Sequence, residues 1–264
     1  MNRLHTRPTT DLTVVTRGEV SLAAPDYARS KMLAVLDRLD EPVLAARVKL
    51  TQEPNHAVAR PSVAQALVDL NGRPVRAHVA AATMQEAIDL LQDRLNARIA
   101  RVRDHRDHRE PHRHRGTAPT AWSDPGRDGH RPQRRTSGGD DPRIVRHKSY
   151  SLARQTAWEA VFELEAMDYD FHLFTDAVSG RDSVVHRDAA HGGYRLATAD
   201  PQAAPVPGLP ASTAGAPELA VADAVDLLDL SGVPFVFFTD AASGRGNVLY
   251  HRYDGHYGLI TPAL

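Results

Sequence analysis

Arg94, Arg98, Arg101, His105 and His108 recur at spacings of four, three, four and three. On a helix that spacing places all five on one stripe. Phosphates of a nucleic acid call for several cations on one rigid surface, so the stripe is a candidate phosphate-backbone contact rather than a catalytic group. Arg47, Lys49, Arg73 and Arg76 fall on strand-like or turn-like segments and extend the candidate patch. Lys31 and Arg38, on an earlier helical segment, are weaker additions. No aromatic residue stands among these cations, so phosphate and shape recognition is expected rather than base stacking.

Other chemistry has little to stand on. His105, His108, His112 and His114 have spacings that suit metal ligands, but the arginines between them oppose a bound cation, and no metal or other cofactor is expected. The Gly244–Gly246 pair sits in a hairpin, not before a helix, so it is no phosphate loop. Asp176 and Asp240 each precede A-x-S-G and are expected to accept backbone hydrogen bonds in a turn. There is no cysteine, hence no disulfide framework and no thiolate chemistry, which fits a reducing cytoplasm. No apolar run approaches the length of a membrane helix, and the first residues lack the apolar core of a secretory signal. The expectation is a cytoplasmic binding protein, not an enzyme.

The elements that must position the cations follow from periodicity. Leu12–Thr16 is a β-branched run. A helix follows, with Ala28, Met32, Val35, Leu36 and Leu39 on its buried side. Leu44, Ala46, Val48 and Leu50 alternate with polar residues, as do Ala64–Leu70 and Val75–Val79, and Asn71-Gly72 is a hairpin signal. Thr83 and Glu86 form a capping box ahead of Ile88, Leu91, Leu95, Ile99 and Val102. The order is β-α-β-β-β-α, an α+β domain over 1–110 with two helices on one face of a four-stranded sheet. Residues 111–141 are rich in Gly, Pro and charge and are expected to form a flexible basic linker, with Trp122 an incidental exposed residue.

The remainder is written twice. F-H-L-F-T-D-A-V-S-G-R-D-S-V-V-H from Phe171 returns 64 residues later as F-V-F-F-T-D-A-A-S-G-R-G-N-V-L-Y from Phe235. Each copy is one helix with three or four short strands, giving small tandem α+β modules at 142–198 and 218–264, joined by an Ala/Pro-rich linker at 199–217. Such a module buries little surface alone, and aromatic strands ask for a partner on their second face. Phe171, Phe174, Val184, Val185 and Tyr194, with their counterparts Phe235, Phe238, Val248, Leu249 and Tyr257, are the expected pairing residues. Net charge sharpens the division: residues 1–110 carry +3, 111–149 carry +5 and 150–264 carry −9. A polyanion would attract the first parts and repel the last.

At these motifs the chain resembles a known family. V-D-L-N-G-R-P-V-R-A-H-V followed by the helix M-Q-E-A-I-D-L-L-Q-D-R-L, then I-V-R-H-K-S-Y, A-W-E-A-V-F-E-L-E-A-M-D-Y-D-F-H-L-F and N-V-L-Y-H-R-Y-D-G-H-Y-G-L-I-T-P, are similar to the long-form ribosome hibernation promoting factors, the ribosome-associated inhibitor or sigma-54 modulation family. The resemblance implies a partner: the small ribosomal subunit, within the 70S ribosome, held at 16S rRNA near the decoding centre and the mRNA/tRNA channel, with translation inhibited under stress. It also implies that the stripe at Arg94–Arg98–Arg101 is where the helix meets rRNA. In the long form the C-terminal domain commonly joins two ribosomes. Two C-terminal modules in tandem resemble actinobacterial dormancy-linked members, and pairing of the modules within one chain is the expectation, with intermolecular dimerisation as its rival. A transcription modulator binding a sigma factor or polymerase, and a stress-linked scaffold, remain alternatives from other classes.

Overall fold

A computed structural model describes residues 11–54, 58–107, 142–188, 192–200, 202–212, 215–252 and 254–263, the side chains of 105–107 excepted. The basic segment expected as a linker at 111–141, with Trp122, lies outside the described residues. Contacts group the chain into two units; Ala166–Asp168 group with the first.

In the first unit β1 (Leu12–Arg17) runs into α1 (Ala24–Leu36), which has Pro25 in its first turn, where a missing N–H costs nothing. β2 (Val43–Gln52) then lies parallel to β1, as a helical crossover requires. β3 (Ser62–Leu70) and β4 (Arg73–Ala81) continue antiparallel in the order β1-β2-β3-β4. The β3–β4 turn has positive φ at both Asn71 (52°) and Gly72 (85°), the primed-turn geometry that the Asn-Gly pair favours. α2 (Met84–Asp107) starts where the capping box predicts: Glu86 N–H donates to Thr83 Oγ1 at 3.2 Å, and Ala82 N–H donates to Glu86 Oε2 at 3.2 Å. Ile88, Leu91, Leu95, Ile99 and Val102 are buried, together with Ala28, Met32, Val35 and Leu36 of α1 and Leu39 just beyond it. Leu44 departs from its expected burial and is 58% exposed. A register shift between Val43 and Ala45 breaks the alternation there, so Leu44 falls out of phase with Ala46, Val48 and Leu50.

The second unit contains β5 (Ile144–Tyr150), β6 (Arg154–Gln155), α3 (Ala157–Ala166), β7 (Phe171–Asp176), β8 (Asp182–Arg187), β9 (Tyr194–Thr198), β10 (Glu218–Leu219), α4 (Val221–Ser231), β11 (Phe235–Asp240), β12 (Gly246–His251) and β13 (Tyr257–Pro262). They make two sheets, β6-β7-β8-β9 and β10-β11-β12-β13-β5. Each sheet takes a helix on one face. Ala157, Ala160, Val161 and Leu164 of α3 pack on Phe174 and Val185, and Ala224 and Leu228 of α4 on Val236, Phe238, Leu249, Tyr257 and Leu259. The other two faces meet each other: Leu173, Val184 and Ala197 form one buried cluster with Phe237 and Val248. The result is a four-layer α-β-β-α stack.

This arrangement divides the ten expected pairing residues. Phe171, Val184, Phe235 and Val248 lie in the shared cluster. Phe174, Val185 and Tyr194 lie against α3, and Phe238, Leu249 and Tyr257 against α4. Successive residues of a strand point to opposite faces, so Val184 and Val185 cannot both face a partner sheet. Leu173, Ala197 and Phe237 share the parity of Phe171 and Phe235 and occupy the pairing face instead.

The modules also exchange backbone. β5 precedes the first module's helix but pairs in parallel with β13, the last strand of the second. Reciprocally, Ala211 ahead of the second module bridges Leu196 of β9 in parallel; Leu196 N–H donates to the Pro210 carbonyl at 3.0 Å and Ser212 N–H to the Leu196 carbonyl at 2.7 Å. The 199–217 segment is therefore more than a tether. Val206 and Leu209 join the α3 cluster, and Trp158 Nε1–H donates to the Pro207 carbonyl at 3.2 Å. The two A-x-S-G turns form as expected. Asp176 accepts from Ser179 N–H and Oγ–H, both at 2.8 Å, and Asp240 from those of Ser243, at 3.0 and 2.7 Å. Because Phe237 is 5% exposed and bridges the two sheets, Phe237→Ala is expected to destabilise this unit by about 3–5 kcal/mol, read as a lowered urea midpoint by circular dichroism.

Candidate functional site

α1 and α2 cover one face of the β1–β4 sheet, so residues of opposite parity to the core stand on the other face. Register then brings the basic ones together. Thr13, Arg47, Leu67 and Arg76 form one cross-strand row; Val15, Lys49, Gln65 and His78 form the next. Strands about 4.8 Å apart put Arg47 and Arg76 about 10 Å from each other, on either side of Leu67. Arg47 is exposed, and Lys49 and Arg76 are half-exposed. Neither row contains a carboxylate. Arg17, exposed at the end of β1 opposite Thr51, and Arg73, exposed at the start of β4, widen the same basic area. His78 is buried at the far end of its row, with Nε2 3.0 Å from Gln65 Nε2.

The helix cations are differently placed. Arg94 and Arg98 converge on Asp168, which groups with this unit: Arg98 Nη2 lies 2.6 Å from Oδ1 and Arg94 Nε 3.1 Å from Oδ2. His78 N–H donates to the same carboxylate at 3.0 Å. The side chains of Arg98 and Asp168 are each 2% exposed, and that of Arg94 11%. Arg98 is thus a buried partner of a buried acid in this structure, not an open phosphate ligand. Arg101 is half-buried. The side chain of His105 lies outside the described residues, as do His108, His112 and His114. Lys31 is on the surface but engaged. Its Nζ lies 2.8 Å from Asp89 Oδ1 and 5.3 Å from the Tyr27 ring centroid, and Tyr27 O–H donates to the same Oδ1 at 2.7 Å. Asp89 and then Tyr27 raise the Lys31 pKa above its ordinary value, and Lys31 and Tyr27 lower that of Asp89.

Among the described residues, Arg47, Lys49 and Arg76 on this sheet face are cations that can neutralise phosphate without first breaking an ion pair. Arg17 and Leu67 are the face's additions to the sequence reading. The parity of Thr13 and Val15 would have found Arg17, and the out-of-phase apolar position within Ala64–Leu70 would have found Leu67.

Comparison with known proteins places these features in a family. The sequence matches the sigma 54 modulation protein / S30EA ribosomal protein family over residues 13–107, and its C-terminal part twice, over 139–196 and 212–259. The dormancy associated translation inhibitor of Mycobacterium tuberculosis is 35% identical over 271 residues, which cover 98% of this chain and 90% of that protein. A ribosome hibernation promotion factor of Deinococcus radiodurans is 28% identical over 174 residues, 64% of this chain and 88% of its own length. The solved N-terminal domain of Thermus thermophilus Protein Y is 30% identical, covers 35% of this chain and 99% of its own, and superposes with a TM-score of 0.29.

Burial separates two kinds of arginine. Arg98→Ala removes the closer of the described arginine partners of Asp168 and is expected to destabilise the first unit by about 3–5 kcal/mol, whereas the exposed Arg47→Ala is expected to stay within about 0.5 kcal/mol of the parent protein; urea melts of both variants check the contrast.

Proposed function

The chain belongs to the sigma 54 modulation/S30EA ribosomal protein family, and from that premise we propose that it is a ribosome hibernation factor that inhibits translation under stress. The first unit binds the small subunit at 16S rRNA, in the mRNA/tRNA channel near the decoding centre. The observation that carries this reading is the open sheet face, where Arg47, Lys49 and Arg76 stand in two adjacent rows that lack a carboxylate. Arg17 and Arg73 enlarge that face, and Arg101 and His105 are the candidates for extending contact along α2, where Arg94 and Arg98 are engaged with Asp168. Inhibition is by occupancy. Cations placed to pair with phosphate block the channel without any bond being made or broken, so the protein acts as a cytoplasmic binder and not as an enzyme.

The second unit has another part. Its net charge of −9 over 150–264 disfavours a phosphate surface, and its two modules are occupied with each other. A chain whose C-terminal modules pair internally has no need of a second chain to cover them, which favours the holding of single 70S particles over the bridging of two.

Co-sedimentation tests the binding surface. The variant Arg47→Glu/Lys49→Glu/Arg76→Glu is expected to fold but to lose binding to small subunits and to 70S ribosomes at about 0.15 M salt. In the parent protein, affinity is expected to fall steeply with salt, and each lost phosphate contact to flatten the logarithmic slope by about 0.7–0.9. A folded variant that still pellets with ribosomes as the parent does would refute this surface.

A further inference from the structure

The two modules are not interchangeable where they touch. Aligning the copies sets Arg181 against Arg245, Asp182 against Gly246 and Leu173 against Phe237. Asp182 of the first module is buried and reaches into the second. Its Oδ2 accepts from Arg245 Nε and from the Gly246 backbone N–H, both at 2.8 Å, and its Oδ1 accepts from Arg245 Nη2 at 3.1 Å. Thr175 O–H completes the set at 3.2 Å. Burial works against the Asp182 charge, but the Arg245 guanidinium and the Gly246 N–H outweigh it and hold the carboxyl below its ordinary pKa.

The opposite contact is missing. Gly246 offers no carboxylate, and Arg181 is exposed where Arg245 is partly covered. Nor is there room for one. A Cβ at Gly246 would lie 2.6 Å from Asp182 Cβ and 2.8 Å from Phe237 Cε2, closer than carbon atoms approach. Beside Asp182, the counterpart of Phe237 is the smaller Leu173.

We infer that Asp182 with Leu173 on one module, and Gly246 with Phe237 and Arg245 on the other, form an asymmetric lock that makes the first and second modules fit each other and rejects pairing of like modules. Two first modules would set one Asp182 against another where a glycine is required. Two second modules would leave Arg245 and the Gly246 N–H without their acceptor and a void in place of the carboxylate. The partner specified by this surface is therefore the unlike module, and the chain that carries both supplies it at the high effective concentration of a tethered neighbour. This holds whether or not the first unit binds ribosomes.

Three full-length variants test the lock by melting and by sedimentation velocity over a range of concentrations. Gly246→Asp is expected to lower the melting temperature of the second unit by about 5 °C or more and to cause concentration-dependent self-association as the apolar faces separate. Asp182→Gly, which only removes atoms, is expected to fold, with a smaller loss. The full exchange Asp182→Gly/Gly246→Asp/Leu173→Phe/Phe237→Leu rebuilds the lock in mirror arrangement, with Arg181 now beside the acid. It is expected to recover at least half of the melting temperature lost in Gly246→Asp and to remain monomeric. If Gly246→Asp fails to fold, a folded monomeric exchange variant still supports the lock. An exchange variant that melts no higher than Gly246→Asp, or does not fold, overturns it. So does a Gly246→Asp protein that melts and sediments like the parent.

Discussion

A short sheet with a helix on one face still has a second face to cover. In this protein Leu173, Val184 and Ala197 cover that face for one module, and Phe237 and Val248 for the other. The rest of the second unit depends on this meeting. It fixes which strand parity is apolar on both sides. It gives β5 and the Pro210–Ser212 segment partner edges on the opposite module. It also buries Asp182, whose carboxylate then requires Arg245 and the Gly246 N–H. Duplication of the module gives each copy, within one chain, a second sheet to cover its apolar face.

The first unit solves a different problem. Its sheet is covered on one face by α1 and α2, and Arg47, Lys49 and Arg76 stand on the other. Strand pairing turns residues far apart in sequence, Arg47 and Arg76, into neighbours on either side of Leu67. A helix stripe shows in a sequence as a spacing, but a cross-strand row shows only once register is known. The helix stripe was the more visible feature and the sheet face the more accessible one. Arg98 is the instructive residue: its spacing suits an RNA-facing stripe, and its environment is a buried ion pair with Asp168. Spacing reports which residues share a face, not what covers that face.

Local rules made most of the fold legible. The Asn71-Gly72 turn, the Thr83–Glu86 capping box, the Asp176 and Asp240 turns and the buried stripe of α2 each rest on contacts within a few residues or on simple periodicity. What escaped was non-local or depended on a phase. The register shift at Val43–Ala45 turned Leu44 outward. Val184 and Val185 could both be read as partners only while strand parity was ignored. The exchange of β5 onto β13 leaves no trace in the hydrophobicity of β5, whose residues are exposed throughout. The Ala/Pro-rich segment concealed Val206 and Leu209, two ordinary core residues in a composition that reads as a tether.

The internal pairing of the two modules also bears on what a bound ribosome would meet. A module with an open face is able to recruit another chain, whereas here the two modules cover each other's apolar faces. Sucrose-gradient sedimentation of purified ribosomes saturated with the full-length protein separates these outcomes directly. The protein is expected to migrate with single 70S particles, with no growth of the ribosome-dimer fraction. Abundant ribosome dimers that form in proportion to the added protein would contradict that expectation.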